Sequence, residues 1–116
     1  MLTDDILLTV LNSAWSLKTS SKWSMENPAK GQCGVTSLII NDLLGGEIAK
    51  TDVSGEFHFY NLINGRRVDF TDSQFPAALE YDDIPSSRAE ALLDTSQDQY
   101  MTLKAAMEQK LSKLYL

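Results

Sequence analysis

The chain has one cysteine, one histidine, two tryptophans and three prolines among 116 residues. One cysteine excludes an internal disulfide. With a single histidine beside it, too few soft ligands exist for a structural zinc centre, so neither a metal nor a cofactor is expected. No run of about 18 apolar residues is present, and no membrane partner is expected. An excess of basic residues is missing too: Lys and Arg number 10 against 16 Asp and Glu, a net charge of -6. Phosphate backbones would repel such a chain, so nucleic acid is not an expected partner. The first residues, Met1-Leu2-Thr3-Asp4-Asp5, lack the basic start of a signal peptide, and a cytoplasmic protein is expected. Proline and glycine are sparse and hydrophobic content is ordinary, which fits one folded domain over residues 1–116.

What is present divides into helix, strands, helix. Thr3 can cap a first helix whose apolar positions Ile6, Val10, Leu11, Ala14 and Leu17 recur at helical spacing, fading into Thr19-Ser20-Ser21. A loop carrying Trp23 and Pro28 follows. From Cys33 to Leu44 the β-branched Val35, Thr36, Ile39 and Ile40 would suit a strand, but the three-turn length and the stop at Gly45-Gly46 predict a helix. Three strands are predicted next, over 48–53, 57–63 and 66–71. Asn64-Gly65 is the preferred pair for a two-residue type I′ hairpin between the last two. Ser87-Arg88-Ala89-Glu90 and Ser96-Gln97-Asp98-Gln99 fit two helix starts. Beyond them Tyr100, Leu103, Met107, Leu111 and Leu114 form an apolar stripe, read as core packing.

The hairpin carries a geometric expectation. With a two-residue loop, Ile63 faces Arg66, Tyr60 lies opposite Asp69, and His58 opposite Thr71. Alternation then puts His58, Tyr60, Arg67, Asp69 and Thr71 on one face and Phe57, Phe59, Val68, Phe70 and Asp72 on the other. His58 and Asp69 become diagonal neighbours, with Cβ atoms roughly 7 Å apart. Cys33 opens the central helix, where the macrodipole and free N–H groups would lower a thiol pKa and could hold an oxyanion. Gly31 and Gly34 would leave room for a substrate backbone. Cys, His and Asp in this order supply a thiol nucleophile, its base and the base's orienter. Each also has an ordinary structural reading: a small buried hydrophobe, a packed strand histidine and a strand-end aspartate.

Gly31-Gln32-Cys33 resembles the Gly-Gln-Cys of transglutaminases. His58-Phe59-Tyr60-Asn61 is similar to their His-x-Trp-Asn strand, and Val68-Asp69-Phe70-Thr71 to their Val-Asp-x-Thr strand. The resemblance implies an α+β, papain-like minimal core, with the nucleophile helix packed on a small antiparallel sheet flanked by N- and C-terminal helices. It implies a Cys33–His58–Asp69 triad. More narrowly, the chain resembles the small bacterial YunG-like proteins through Trp23, Asn27-Pro28-Ala29, Gly31-Gln32-Cys33, Gly45-Gly46 and Gln74-Phe75. Departures exist: 25 residues separate Cys33 from His58 and 11 separate His58 from Asp69, shorter than in transglutaminases. Gly34 replaces the aromatic that follows the nucleophile, and Tyr60 replaces the motif tryptophan.

Gln32 and Asn27 are candidate side-chain oxyanion donors, because papain-like enzymes commonly use an upstream amide. Gln32 reads equally as a solvent-facing residue at a helix start, and Asn27 as a turn former before Pro28. Tyr60 and Trp23 are candidate substrate-side residues, with core packing the stronger reading for Trp23. The expectation is a cysteine hydrolase or acyl transferase acting on a peptide or a small amide or ester. The alternative is a non-catalytic binding module on a degenerate core, with a protein partner.

Overall fold

The computed structural model describes residues 2–114; Met1, Tyr115 and Leu116 lie outside it. In chain order the elements are α1 (Asp4–Ala14), α2 (Cys33–Leu44), β1 (Glu47–Val53), β2 (Glu56–Ile63), β3 (Arg66–Val68), a 3₁₀ turn (Asp72–Gln74), β4 (Ile84–Pro85), α3 (Arg88–Leu93) and α4 (Gln97–Leu114). The architecture is α+β: four antiparallel strands in the order β3-β2-β1-β4, with the helices around them.

Thr3 Oγ1 accepts the Ile6 N–H at 3.2 Å and opens α1, with Asp4 and Asp5 in the favourable first turn. The helix ends three residues before Leu17, which is 63% exposed, so Leu17 does not extend the buried stripe. Trp15 causes the early stop. It turns to extended backbone, buries its ring, and donates Nε1–H to Thr36 Oγ1 at 2.9 Å. Leu7, Leu11, Leu103 and Met107 are buried where α1 meets α4. Burying one such side chain stabilises by about 1.5–3 kcal/mol. The stripe of α4 loses cover at its end, and Leu114 is half exposed at the rim of a shallow groove with Ile6 and Val10.

Helix α2 lies between the sheet and the other helices, and every residue from Cys33 to Ile40 is buried. This explains its β-branched composition: packing on all sides overrides propensity. Asn61 Nδ2 donates to Ser37 O at 3.0 Å and ties β2 to the helix.

The Asn64-Gly65 loop has φ of +53° and +75°, as a type I′ turn requires, and Asn61↔Val68, Leu62↔Arg67 and Ile63↔Arg66 keep the expected register. Strand β3 nevertheless stops at Val68 rather than Thr71. Asp69 Oδ1 accepts the Thr71 N–H at 3.1 Å, so the side chain takes a donor that a longer ladder would use. Alternation therefore does not extend to Asp72, which sits in the 3₁₀ turn; burial and the charge of Asp69 raise its pKa.

Phe59 and Asn61 face α2, whereas His58 and Tyr60 face a segment the sequence leaves unassigned. Phe75 meets the His58 ring edge-on at 4.9 Å, and Tyr81 meets Tyr60 at 4.8 Å. The same segment ends in β4, which pairs with β1 through Lys50↔Ile84 and Ala49↔Pro85. Proline is tolerated there because the strand is an edge.

Candidate active site

Three elements bring the candidate residues together. Cys33 is the first residue of α2, His58 lies near the start of β2, and Asp69 follows β3. A cavity of about 250 Å³ opens where the α2 N-terminus meets the end of the β1–β2 hairpin. Cys33, His58, Asp94, Lys22, Lys30, Glu56 and Gln74 are in its wall, closed by Phe57 and Phe75.

His58 is 2% exposed, and its Nε2 lies 2.7 Å from Asp69 Oδ2. Tyr81 O–H donates to the same oxygen at 2.7 Å, and Thr71 donates its N–H and hydroxyl to Oδ1 at 3.1 and 3.3 Å. Every hydrogen-bond partner of this carboxylate among the described residues is a donor, so the imidazole proton belongs on Nε2 and the lone pair on Nδ1. Nδ1 is buried without a hydrogen-bond partner among the described residues.

Tyr81 holds Asp69 from outside any motif, and its ring lies 4.3 Å from the Arg67 guanidinium. Burial, then the bond to Asp69, pushes its pKa up. Tyr81→Phe should free Oδ2 for His58 alone. The sole histidine gives a single ring N–H proton resonance, expected to move downfield in the variant; an unmoved resonance would detach Tyr81 from the pair.

Cys33 differs from the expected activated thiol. Burial pushes its pKa up to about 12, the Asp94 charge adds to this, and the Phe59 backbone amide only partly offsets it. The thiol donates to Asp94 Oδ2 at 3.4 Å, and the same oxygen accepts the Gly34 N–H at 3.0 Å. A carboxylate thus occupies the helix N-terminus and cancels the field expected to activate the thiol. Burial raises the Asp94 pKa as well, opposed by these hydrogen bonds and by Lys22.

The glycines do not leave space for a substrate. A Cβ on Gly34 would lie 2.6 Å from Asp94 Oδ2 and 2.8 Å from Ala91 O; one on Gly31 would lie 2.3 Å from Ser20 Oγ. Both positions are filled by the chain itself.

The remaining candidates stand outside the cavity wall. Gln32 is fully buried, its amide without a protein partner among the described residues. Asn27 Nδ2 donates to Gln74 O at 3.2 Å, and Gln74 Oε1 accepts the Gly31 N–H at 3.3 Å, so this pair braces the loop before Cys33. Tyr60 O–H donates to Asp83 at 2.7 Å, away from the thiol. Trp23 packs against the core. Asp94 and Tyr81 belong to no sequence motif, and only the fold brings them to the site.

A family model described as YunG protein matches residues 3–112. The chain belongs to the YunG family. It is 50% identical over 105 residues to "Uncharacterized protein YunG" of Bacillus subtilis (strain 168), covering 90% of this chain and 91% of that relative. No solved structure matches. Among the described residues, no helix is long and apolar enough to cross a membrane, and no group of three or more His, Cys, Asp and Glu could hold a metal ion. Of the residues in the YunG-like motifs, Gly31, Cys33, Gln74 and Phe75 line the cavity and Asn27 braces Gln74, whereas Trp23, Gln32 and Gly45-Gly46 stand outside its wall.

Proposed function

We propose that this YunG-family protein is a cysteine hydrolase or acyl transferase on a papain-like, transglutaminase-like core, with Cys33 as nucleophile, His58 as base and Asp69 as orienter. One observation carries the reading. A single cavity wall contains a thiol and an imidazole whose Nε2 is fixed by a buried aspartate while its Nδ1 stays free.

Cys33 Sγ bonds to the carbonyl carbon of an amide or ester as its proton passes to His58 Nδ1. The proton then moves to the leaving nitrogen or oxygen as that bond breaks, leaving a thioester. Water or an amine attacks the thioester, giving its proton to Nδ1, which returns it to sulfur. The Gly34 N–H, which donates to Asp94 Oδ2 at 3.0 Å, becomes a candidate oxyanion donor once Asp94 gives way. Hydrolysis is the simpler outcome, needing no second-substrate channel. Because the thiol is held neutral, His58 must deprotonate it during attack; no thiolate is stored beforehand.

The test is acylation by p-nitrophenyl acetate, followed by mass spectrometry of Cys33, with Cys33→Ala reporting acylation elsewhere. His58→Ala should slow acetyl-Cys33 formation by about 10²–10⁴-fold, the range of general-base assistance. In the wild type, iodoacetamide alkylation should keep rising with pH past the ordinary thiol range near about 8.5. Equal acylation in wild type and His58→Ala would sink the enzyme reading. The raised thiol pKa and its bond to Asp94 favour a second one, a binding module that retains the core without its chemistry. That reading gains if acetyl-Cys33 never forms.

A further inference from the structure

We propose that the cavity beside Cys33 binds a ligand presenting a carboxylate or acyl oxygen, and that Asp94 occupies that oxygen's position when the ligand is absent. The α2 N-terminus is the starting point. Its capping residue, Gln32, makes no side-chain cap, yet first-turn N–H groups need acceptors. Asp94 supplies one from across the fold, with Oδ2 3.0 Å from Gly34 N and 3.4 Å from Cys33 Sγ. A carboxyl or acyl oxygen accepts such donors equally well.

Asp94 is poorly suited to a permanent structural role. It caps the C-terminal end of the six-residue α3, where a negative charge opposes that helix's dipole, and although the residue as a whole is exposed, its carboxylate is partly desolvated against Cys33 and Gly34. Withdrawing it would return that carboxylate to water. The wall would then present the α2 N-terminus, Lys22 and Lys30 against one carboxylate, Glu56. Cys33, His58 and Lys22 are the groups that face Asp94, and the Lys22 charge favours its ionised form. A second observation, independent of the helix end, points to a ligand here: the buried His58 lines this cavity with Nδ1 unpartnered. At about 250 Å³ the space fits an amino-acid-sized group or a peptide end.

The proposal goes beyond acyl transfer, since a site for such an oxygen can exist without turnover. The test uses the intact chain and its single cysteine. Asp94→Ala should be alkylated by iodoacetamide at least about tenfold faster than wild type near neutral pH, because the thiol loses a facing negative charge. Added acetate should restore protection in a saturable way and shift the Gly34 amide resonance, whereas matched sodium chloride should do neither. Lys22→Gln in the Asp94→Ala background should weaken the acetate effect. Acetamide separates the two oxygen sources: protection by acetate alone marks an anionic ligand, and equal protection by both marks an acyl oxygen. Should Asp94→Ala fail to fold, Asp94→Asn keeps the acceptor for Gly34 and must still speed alkylation several-fold. Unchanged alkylation in Asp94→Asn, or equal effects of acetate and chloride on Asp94→Ala, would overturn the proposal and leave Asp94 as a cap alone. Neither readout depends on His58 chemistry, so failure here and failure of acetyl-Cys33 formation are separable.

Discussion

Asp69→Asn is expected to slow acylation of Cys33 by about 10²–10⁴-fold while the protein stays folded. Four donor groups converge on this carboxylate: His58 Nε2, Tyr81 O–H, and the Thr71 N–H and hydroxyl. An amide of the same shape offers one oxygen and one NH₂. If the oxygen keeps the Thr71 N–H, the NH₂ faces His58 Nε2 and Tyr81. Tyr81 can rotate its hydroxyl and accept. His58 can accept only by placing its proton on Nδ1, which removes the lone pair proposed to deprotonate Cys33. The expected loss is therefore catalytic, with little change in a urea melt. Asp69→Ala is different. It leaves the buried His58 Nε2 and the half-buried Tyr81 hydroxyl unpaired and should cost about 2–5 kcal/mol. Alternation of the strand would offer Asp72→Asn as a neutral control, but Asp72 feels the Asp69 charge and is unsuitable. Asp98, exposed on α4, replaces it. Acetyl-Cys33 formation at the same rate in Asp69→Asn and Asp98→Asn would remove Asp69 from the site.

Local chemistry explains which features could be read from the sequence. The Asn64-Gly65 turn needs two left-handed residues, and that requirement sets the register that brings His58 beside Asp69. Thr3, Ser87 and Ser96 are side-chain caps with short-range partners, so the helix starts were legible. Gly45 ends α2 in the same local way, with φ of +75°. What the sequence hides are long-range partners. Trp15 leaves α1 because Thr36 is there to accept its N–H. The edge strand β4 exists because β1 offers an unpaired side. Glu90, placed for a capping box, reaches Lys50 Nζ and Ser86 Oγ instead of closing the box. The thiol's environment is the sharpest case. A cysteine at a helix start predicts a lowered pKa, but burial of the thiol reverses the sign, and Asp94, arriving from 61 residues away, pushes the same way. No periodicity or motif around Asp94 signals that contact.

Gly31→Ala should destabilise the fold by about 2–4 kcal/mol, combining left-handed strain with overpacking. Gly31 has φ of +73°, where a side chain is disfavoured. Its hypothetical Cβ falls 2.3 Å from Ser20 Oγ and 3.2 Å from Lys22 Cβ. Ser20 cannot swing away cheaply, because its hydroxyl donates to Lys30 O at 3.0 Å and accepts the Lys22 N–H at 3.2 Å. Gly55 separates the two contributions. It has φ of +90°, yet a Cβ there meets nothing within 4 Å. Gly55→Ala should therefore show the strain alone, about 1–2 kcal/mol. For a chain of this size the Gly31 variant should melt about 8–16 °C below wild type, and the Gly55 variant roughly half as far below. Equal losses would mean that the loop before Cys33 yields freely. Function should follow the same order. Gly31 N–H is held by Gln74, and the next turn of chain places Cys33 at the cavity. Displacing residue 31 should thus slow acetylation of Cys33 even at temperatures where the variant is folded, whereas Gly55→Ala, at the turn between β1 and β2, should disturb the thiol far less.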